Sequence, residues 1–508
     1  MRRWLPGRDA HAVRHPAGPA SPRTDGRDGT PTVVVVGGGV AGLAAATGLA
    51  ERGVRVVLVE AADTLGGRVR AWPVSLPDGT TATMSRGFHA FFRQYYNLRA
   101  LLRRADPGLD RLVPLEDYPL QLAGPGERPA LVDSFASIPR TPPLNLVGFV
   151  AQSPSFRARD LVGVDVREAL GLLQVSFPAT YSALDGVSAA DFLDRLRFPD
   201  RARHLALEVF ARSFFADPHD FSAGELVAMF HTYFVGSAEG LLFDVPDDDY
   251  DTALWAPLGR YLAGLGVETR TGVRVVGLED AGGGVVVTTS DERVVADAVV
   301  LALDVRALQA LVADAAWLGD TGWRERIAAL RSAPPFGVGR RWLSGRFPEI
   351  APFLGTSGYG PLDNISRLDA FEAGAAGWAG RNAGTVVEVH GYALRDPAGA
   401  REALWREAAR VHPELDDAGV VAEEWLVRDD CPLVGTEPWL LRPAVQTPDP
   451  RVVLAGDLVR CDWPVALMER AATTGWQAAN ALLTRSGRRG HDLWSPPLSG
   501  LLGRRPAS

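Results

Sequence analysis

Two apolar runs near the start of the chain predict the beginning of a parallel sheet. Residues 33–36 are four valines, followed by a glycine cluster and an alanine-rich stretch that ends near Glu51, and residues 54–59 form a second apolar run. A short apolar run bounded by glycines is typical of a strand that is buried on both faces. The pattern therefore predicts a strand, a helix and a second, parallel strand within about thirty residues.

The rest of the chain alternates between helix-like and strand-like patterns. Residues 85–250 show helical spacing, interrupted by prolines and rich in aromatic residues, which predicts a mainly helical insertion. Residues 268–303 alternate with a period of two across glycine-marked turns, which predicts a small antiparallel sheet. Residues 305–445 mix both patterns, and residues 451–457 (RVVLAGD) predict another buried strand before a helix through Leu483.

One segment reaches the lower length limit of a membrane span. Residues 33–50 contain no charged side chain, and about 18 apolar residues are enough to cross a bilayer. The three consecutive glycines inside the segment favour a strand and a tight turn instead. We therefore expect a protein without a spanning helix, located in the cytoplasm and associated peripherally with the membrane.

Composition and charge remove several classes of function. The 508 residues suffice for two or three domains, and 46% hydrophobic and 22% charged residues are typical of a globular protein. The net charge of -8 disfavours a nucleic acid as partner. All 53 basic residues are arginines, so no lysine Schiff base is available. Cys431 and Cys461 belong to no Cys/His cluster, so neither a disulfide framework nor a metal site is expected.

A glycine-rich turn after the first strand predicts a dinucleotide site. Gly37, Gly39 and Gly42 have the spacing G-x-G-x-x-G between a predicted strand and a predicted helix. The free amides near Val40 and Ala41, at the start of that helix, are expected to hold a pyrophosphate. The glycine spacing alone is a weak signal, and its position between strand and helix makes it a strong one.

The next strand ends in the acidic residue that such a site requires. Glu60 follows the second apolar run, where a carboxylate accepts the ribose hydroxyls of an adenosine and repels a 2′-phosphate. These motifs by themselves predict that the bound dinucleotide is NAD or FAD. No second G-x-G-x-x-G follows a strand, so we expect no further site for NAD(P)H or for S-adenosylmethionine beside this one.

Two later features favour FAD. Gly66, Gly67 and Arg68 lie just after the Glu60 strand, where amides and a guanidinium can meet the second phosphate. Gly456 and Asp457 end a strand near the other end of the chain, just before a predicted helix. A carboxylate and a helix N-terminus at that place can reach the ribityl chain and the flavin of an extended cofactor.

These motifs resemble those of the flavoprotein oxidoreductases of the amine oxidase and carotenoid desaturase group. The group's pattern is G-x-G-x-x-G, Glu, G-G-R and a late G-D followed by M-E-x-A, and residues 468–471 of this chain read MERA. The resemblance implies that the backbone of Met468 contacts the flavin and that the backbone of Val273 contacts the adenine.

The resemblance also implies a fold and its boundaries. We expect an α/β protein with a doubly wound, Rossmann-type FAD-binding domain and an inserted, largely helical α+β substrate domain. The FAD-binding domain is expected at residues 31–84, 252–304 and 446–484, and the substrate domain at residues 85–251 and 305–445. Residues 1–30 are expected to be a disordered arm and residues 485–508 a loose tail, from their Arg, Gly, Ser and Pro content.

One branch of the group is favoured by further motifs. Flavin amine oxidases usually hold a water on a lysine beside the flavin, and this chain has no lysine. Residues 87–98 (GFHAFFRQYYNL) resemble the G-x-H-x-F-F-x-x-Y-x-N-L block of plant-type carotene desaturases. With RSFFADP at 212–218 and GSAEGLLFDVP at 236–246, residues 31–484 resemble the actinobacterial carotene desaturase/methyltransferases of the isorenieratene-synthase type.

This resemblance implies an FAD-dependent enzyme that aromatises the β-ionone rings of β-carotene with an intramolecular methyl shift. His89 is expected near the flavin, as a candidate base, while His231 and Cys431 fit ordinary core packing better. Oxygen or a membrane quinone is the expected electron acceptor, and residues 144–150 supply the best apolar contact with a membrane surface. A linear carotene desaturase, an amine oxidase-like enzyme and a non-enzymatic prenyl-binding escort remain alternatives.

Overall fold

The structure is a computed structural model that describes residues 9–20, 29–124, 130–206 and 212–503. Its strands are β1 Val13–His15, β2 Thr32–Val36, β3 Arg55–Val59, β4 Ala71–Ser75, β5 Thr81–Ser85, β6 Phe91–Phe92, β7 Leu112–Pro114, β8 Leu120–Leu122, β9 Leu131–Asp133, β10 Phe243–Pro246, β11 Glu268–Arg270, β12 Val275–Asp280, β13 Val285–Thr289, β14 Arg293–Ala296, β15 Ala298–Leu301, β16 Phe336–Ser344, β17 Phe353–Ser357, β18 Asn364–Arg367, β19 Gly384–Gly391, β20 Val420–Arg428, β21 Val452–Leu454 and β22 Leu493–Ser495.

The α-helices of the described residues connect these strands. They are α1 Val40–Ala50, α2 Tyr96–Leu102, α3 Leu144–Gln152, α4 Ala158–Leu161, α5 Val166–Gly171, α6 Ala179–Ala183, α7 Ala189–Arg195, α8 Arg203–Ala206, α9 Ala223–Phe230, α10 Ala256–Gly264, α11 Val305–Asp314, α12 Thr321–Ala328, α13 Ala373–Asn382, α14 Ala400–Val411 and α15 Leu467–Arg485. Two π-helical turns, His231–Val235 and Asp251–Trp255, adjoin α9 and α10.

A five-stranded parallel sheet forms the centre of the first domain. Its strand order is β11-β3-β2-β15-β21, with all neighbours parallel. Strand β2 lies in the middle, and its valines are buried, as a strand enclosed on both faces requires. The sheet joins strands from both ends of the chain, which confirms the prediction of an α/β fold with a Rossmann-type domain.

Helices α1 and α15 pack closely because small residues meet at their crossing. A Cβ added at Gly475 would lie 2.2 Å from the carbonyl oxygen of Ala41. A Cβ added at Gly48 would lie 2.8 Å from the Cβ of Ala479. Both distances are shorter than a carbon atom tolerates. The glycines therefore let the first and last helices of the domain lie against each other, with both N-termini at the same edge of the parallel sheet.

A seven-stranded sheet and a helical layer form the second domain. The sheet has the order β20-β16-β19-β18-β17-β8-β9. Helices between α3 and α9 pack around an aromatic core of their own, separate from the core of the parallel sheet. The insertion at residues 85–251 is thus mixed rather than mainly helical, because strands β6–β10 also lie in it.

The observed packing corrects some of the expected domain boundaries. Helices α2, α11 and α12 fall in the stretches assigned to the substrate domain, yet their buried leucine, valine, isoleucine and tryptophan side chains belong to the core around the parallel sheet. Strands β12–β14 form the antiparallel sheet expected within residues 268–303, whereas the flanking β11 and β15 are strands of the parallel sheet. The sequence pattern gave strand positions without showing which sheet each strand joins.

The two chain ends are more ordered than expected where they are described. Strand β1 pairs antiparallel with β22, so residues 13–15 and 493–495 form a two-stranded sheet rather than a disordered arm and a loose tail. The ring of His15 stacks on Trp463 with centroids 3.9 Å apart, and buried Asp9 accepts hydrogen bonds from the hydroxyls of Tyr96 and Ser237. Residues 1–8, 21–28 and 504–508 lie outside the described residues.

Among the helices of the described residues, not one combines the length and the apolar character needed to cross a membrane. The uncharged segment at residues 33–50 is strand β2, a glycine turn and helix α1, as the glycines indicated.

Candidate active site

The turn between β2 and α1 forms a cradle that only glycines can build. Gly37 has a φ of 105°, in the left-handed region, and a Cβ at Gly42 would lie 1.8 Å from the carbonyl oxygen of Gly37. Helix α1 begins after Gly39 without a side-chain cap, so the amides of its first turn are free for a ligand. Val40 and Ala41 in that turn line the main cavity.

The carboxylate of Glu60 is fixed in place at the end of β3. Its Oε2 accepts a hydrogen bond from the amide of Gly38 at 2.6 Å, and its Oε1 accepts one from the amide of Ala62 at 2.8 Å. The amide of Val273 donates to the carbonyl oxygen of Glu60 at 3.0 Å, so the carbonyl of Val273 is its backbone group that remains for a ligand. Glu60 and Val273 line the same cavity.

The two motifs that lie farthest apart in the sequence meet directly. Arg68 Nη2 donates to Asp457 Oδ1 at 2.5 Å, across 389 residues of sequence. Gly67 has a φ of 58°, and a Cβ on it would lie 2.9 Å from Cα of Gly39, so this turn lies against the cradle. Gly456, with a φ of 142°, donates its amide to Thr474 of α15 at 3.0 Å.

Helix α15 presents a second free N-terminus to the cavity. It begins after Ala466 without a side-chain cap, and Leu467 and Met468 line the cavity. Leu467 has a φ of 51°, which is costly for a leucine and sets the direction of the helix start. The carboxyl group of Glu469 lies outside the cavity lining and accepts hydrogen bonds from the amides of Asn97 and Leu98.

The sequence-predicted residues therefore surround one groove. Gly42 shapes the turn from behind, and every other predicted site residue lines one cavity, namely Gly37, Gly39, Val40, Ala41, Glu60, Gly67, Arg68, His89, Val273, Gly456, Asp457 and Met468. A cradle of glycines, an anchored carboxylate and two uncapped helix N-termini fit the phosphates, ribose and isoalloxazine of FAD. The individual role of each residue stays a prediction.

The cavity continues from the cradle into the helical layer. Its volume is about 1180 Å³, which suits a ligand larger than the cofactor's head alone. The extension is lined mainly by aromatic and aliphatic side chains, including Phe92, Tyr118, Phe135, Phe149, Phe156, Phe192, Leu196, Phe198, Phe230, Tyr233, Phe234 and Phe243. This part of the cavity is suited to a long apolar ligand.

His89 is held as a neutral imidazole. Its Nδ1 lies 2.8 Å from the carbonyl oxygen of Gly87, and since a carbonyl only accepts, Nδ1 carries the proton. Burial lowers the pKa of His89 to about 4. Nε2 is then the unprotonated nitrogen, and the ring can accept a proton from a ligand.

His231 and Cys431 have the structural environments that the sequence favoured. His231 is buried in the core, and its Nε2 donates to the carbonyl oxygen of Pro497 at 2.7 Å. Cys431 lines the cavity, but burial raises the pKa of its thiol to about 11, so it stays protonated at neutral pH.

Several polar side chains of the cavity were missed from the sequence. Arg86 is paired with Asp430, Asn364 contributes from β18 of the seven-stranded sheet, and Tyr392 contributes from just after β19. The available signal was weak: Glu388 and His390 alternate in an otherwise apolar strand, which places both on one face. Nothing in the sequence showed that this strand passes the cavity.

The helical layer also exposes apolar side chains on its outer surface. In α3, Leu144 and Val147 are exposed, whereas Phe149 is buried and lines the cavity with Leu146 and Val150. The α3 segment therefore separates the cavity from solvent instead of being apolar surface throughout. We call the exposed apolar residues of this region the mouth patch; they are Leu144, Val147, Val162, Val166, Leu170, Leu501 and Leu502, of which Val166 and Leu170 also line the cavity.

No cluster of His, Cys, Asp or Glu with metal-binding geometry occurs among residues 9–20, 29–124, 130–206 and 212–503.

Comparisons with known proteins agree with this geometry. Residues 40–483 match the family model of flavin-containing amine oxidoreductases. The chain is 56% identical over 502 residues to a carotenoid phi-ring synthase of Streptomyces griseus, covering 97% of this chain and 95% of that one. It is 26% identical to a carotenoid phi-ring synthase of Chlorobaculum tepidum, covering 92% and 91%. Putrescine oxidase with bound putrescine has the same fold, with a TM-score of 0.63 at 16% identity over 90% of this chain and 99% of that one.

Proposed function

We propose that this chain, which belongs to the flavin-containing amine oxidoreductase family, uses FAD to oxidise the end rings of a cyclic carotenoid. The observation that carries the proposal is the continuous cavity, which runs from the glycine cradle at Gly37 into the aromatic extension. A rod-shaped polyene needs such an apolar channel to bring one end ring to a cofactor. The two relatives named as carotenoid phi-ring synthases support the same substrate class.

The residues around the cradle hold the cofactor. FAD, when bound, supplies a two-electron acceptor beside the substrate. Glu60 accepts the ribose hydroxyls, the first turn of α1 binds the pyrophosphate, and Val273 offers its carbonyl to the adenine. Arg68 with Asp457, and the start of α15 at Met468, lie where the second phosphate, the ribityl chain and the flavin are expected.

The finer proposal is that the β-ionone ring becomes an aromatic trimethylphenyl ring, as in enzymes of the isorenieratene-synthase type. A ring with two methyl groups on one carbon cannot become aromatic by loss of hydrogen alone. Loss of a hydride beside that quaternary carbon leaves a cation, and migration of one methyl group to the neighbouring carbon relieves it. In total each ring loses two hydrides and two protons, and every carbon atom is retained.

His89 is the proposed acceptor for one of these protons. Its ring lines the cavity, and its hydrogen bond to Gly87 leaves Nε2 free to receive a proton. A cationic ring is a strong carbon acid, so a neutral imidazole with a pKa of about 4 is a sufficient base.

Two partners complete the proposal. The electrons pass from the enzyme to oxygen or to a membrane quinone. A carotenoid is dissolved in lipid, so the mouth patch is proposed to contact the membrane surface beside the channel, where α3 carries Leu144 outward and Leu146 inward.

Incubation of the purified protein with carotenoid-loaded liposomes tests the function. Separate samples receive β-carotene and the acyclic ζ-carotene, and products are identified by absorption and mass. We expect β-carotene to be consumed and to yield rings that have lost four hydrogen atoms each. Consumption of ζ-carotene alone would make the enzyme a linear desaturase, and carotenoid binding without FAD or turnover would make it a prenyl-binding escort.

A further inference from the structure

Strand β19 carries a buried line of hydrogen bonds that ends at the cavity. His390 Nε2 lies 2.8 Å from Glu388 Oε1, and His390 Nδ1 lies 2.9 Å from the hydroxyl of Tyr392, just after the strand. The side chains of His390 and Glu388 are each 1% exposed. We call these three residues, Tyr392, His390 and Glu388, the Tyr392 relay.

Glu388 is a carboxylate at neutral pH. Arg340 donates two hydrogen bonds to its Oε2, from Nε at 2.9 Å and from Nη2 at 2.7 Å. Burial raises the pKa of Glu388, but the nearby guanidinium of Arg340 outweighs burial, and the resulting pKa is about 2. The inner end of the relay therefore has a fixed negative charge.

The charge on Glu388 sets the direction of each hydrogen bond. Its Oε1 only accepts, so His390 Nε2 carries a proton, and in the neutral imidazole Nδ1 is then the acceptor. The amide nitrogen of Phe88 also lies 3.1 Å from Nε2. If Nε2 were unprotonated and accepted this amide, its lone pair would face the carboxylate of Glu388 at 2.8 Å, which is repulsive. Nδ1 then accepts a hydrogen bond from the Tyr392 hydroxyl. The oxygen of this hydroxyl accepts a hydrogen bond from Asn364 Nδ2 at 3.0 Å.

The outer end of the relay lies in the cavity. Tyr392 and Asn364 both line it, and the ring of Phe215 meets Tyr392 edge-on with centroids 5.0 Å apart. Phe215 also packs on Phe336, over which the guanidinium of Arg86 lies. Arg86 lines the cavity too, so Tyr392, Phe215 and Arg86 border the same part of it.

The relay also adjoins the segment that carries His89. A Cβ at Gly87 would lie 2.7 Å from Cε1 of His390, so the glycine lets the two chain segments touch. Gly87 is two residues before His89 and accepts the hydrogen bond of that ring. His390 of the relay and the ring of His89 therefore both contact the turn at Gly87.

We propose that Tyr392 is a second catalytic proton acceptor for the ring oxidation, and that His390, held by Glu388, is the positioning residue which receives the hydroxyl proton of Tyr392. This inference rests on the proposed function, because two protons leave each ring and His89 is the acceptor of one. It adds residues that neither the motifs nor the relatives assign.

The step balances without a further reactant. A C–H bond of the cationic ring breaks, its electron pair forms the new ring double bond, and the proton goes to the oxygen of Tyr392. The O–H bond of Tyr392 breaks at the same time, and its proton goes to Nδ1 of His390. The imidazolium is stabilised by the carboxylate of Glu388, and the proton returns by the same route to water once the product leaves.

The variant Tyr392→Phe tests this role, because it removes the hydroxyl and keeps the ring. We expect FAD content and the Kd for β-carotene within twofold of the wild type, and kcat lower by about a hundredfold. Added imidazole, a base small enough for the space, should restore part of the lost rate. Tyr261→Phe is the matched control, since its hydroxyl donates to Glu51 at 2.7 Å and lies outside the cavity lining.

Two outcomes of this comparison would overturn the proposal. One is a kcat for Tyr392→Phe within threefold of the wild type. The other is a loss of carotenoid affinity that accounts for the whole loss of rate, which would make Tyr392 a packing residue. A wild type that leaves β-carotene unchanged would instead contradict the proposed function.

A spectroscopic readout tests the relay independently of turnover. In protein labelled with ¹⁵N-histidine, with the signal assigned by a His390→Gln variant, we expect His390 to be protonated at Nε2 and bare at Nδ1. Tyr392→Phe should shift the Nδ1 resonance and leave Nε2 in place. An Nδ1-protonated ring or an imidazolium at neutral pH would overturn the relay whatever the substrate.

Discussion

At the scale of single residues, the site depends on side chains whose positions are fixed by backbone groups. Both oxygens of Glu60 are held by amides, and Nδ1 of His89 is held by a carbonyl. A side chain fixed in this way loses little entropy when it meets a ligand, so its contacts contribute more to binding. Changes at these two residues are therefore expected to separate cofactor binding from catalysis.

Glu60→Ala is expected to weaken FAD binding by roughly ten- to a hundredfold. The substitution removes charge-assisted hydrogen bonds to the ribose, which contribute about 1.5 to 3 kcal/mol. Titration of the apoprotein with FAD, followed by flavin fluorescence, measures the effect. Glu325→Ala, an exposed change on α12, is the control. An unchanged affinity in Glu60→Ala would refute the ribose assignment.

His89→Ala is expected to keep its FAD and to lose turnover by about a hundredfold or more. The proposed phosphate and ribose contacts involve other residues, so flavin content should match the wild type. Because burial lowers the pKa of His89 to about 4, the imidazole stays neutral as the pH falls and becomes protonated only near that value. The His89-dependent rate should thus not fall between about pH 7.5 and about pH 5.5. Full activity of the variant would reduce His89 to a packing role.

Site residues that belong to contiguous sequence motifs could be predicted from the sequence. Site residues that only the fold brings together could not. Gly37, Glu60 and Arg68 follow strand ends in a recognisable order, so their meeting place could be predicted. Asn364 begins β18 and Tyr392 directly follows β19 in another sheet, and only the pairing of these two strands places both residues beside the cavity. Strand pairing over long sequence separation has no local signal that a single sequence shows.

At the scale of elements, the contact between α1 and α15 is the feature on which the cofactor site depends. The N-termini of both helices adjoin the cavity, and the pair approaches closely because of Gly48 and Gly475. The late motif at Asp457 is joined to α15 through Thr474. Separation of these helices would disturb the phosphate and flavin ends of the site together.

Gly475→Ala is expected to destabilise the fold and to weaken FAD binding. The added Cβ would lie 2.2 Å from the carbonyl oxygen of Ala41, so α15 must shift, and such overpacking costs about 1 to 3 kcal/mol. Thermal unfolding with and without FAD measures both effects.

Gly380→Ala provides the matched control for this change. Gly380 lies within α13 with nothing within 4 Å of an added Cβ. Alanine is the better helix former, so this variant should be equal to the wild type or more stable by about 0.5 to 1 kcal/mol. Equal stability of both glycine variants would contradict the close contact of α1 and α15.

Elements at the chain ends show where composition misleads. Arg, Gly, Ser and Pro predicted loose ends, and for residues 13–15 and 493–495 that prediction is wrong. The short β1–β22 pair is stabilised by partners elsewhere in the fold, such as Trp463 under the ring of His15. Local composition does not report such tertiary contacts.

At the scale of the whole molecule, the proposed function requires that the cavity and the mouth patch together form a route from lipid to cofactor. Replacing Leu144, Val147 and Val166 by Ser is expected to reduce liposome flotation, because it removes exposed apolar area beside the channel. The control replaces Leu265, Val295 and Val420, equally apolar and exposed elsewhere, by Ser. Equal flotation of both triple variants would place the membrane contact on another surface.

Labelled carotene gives the most direct test of the central claim, that a methyl group migrates within the substrate while the ring is oxidised. β-Carotene carrying ¹³C in one of the two methyl groups at C1 is fed to a host that produces the enzyme and whose S-adenosylmethionine is unlabelled. We expect aromatic end rings that retain the label in full, with part of it on the methyl group at C2. Loss or dilution of the label would show that the methyl group came from outside the substrate, and would refute the intramolecular shift.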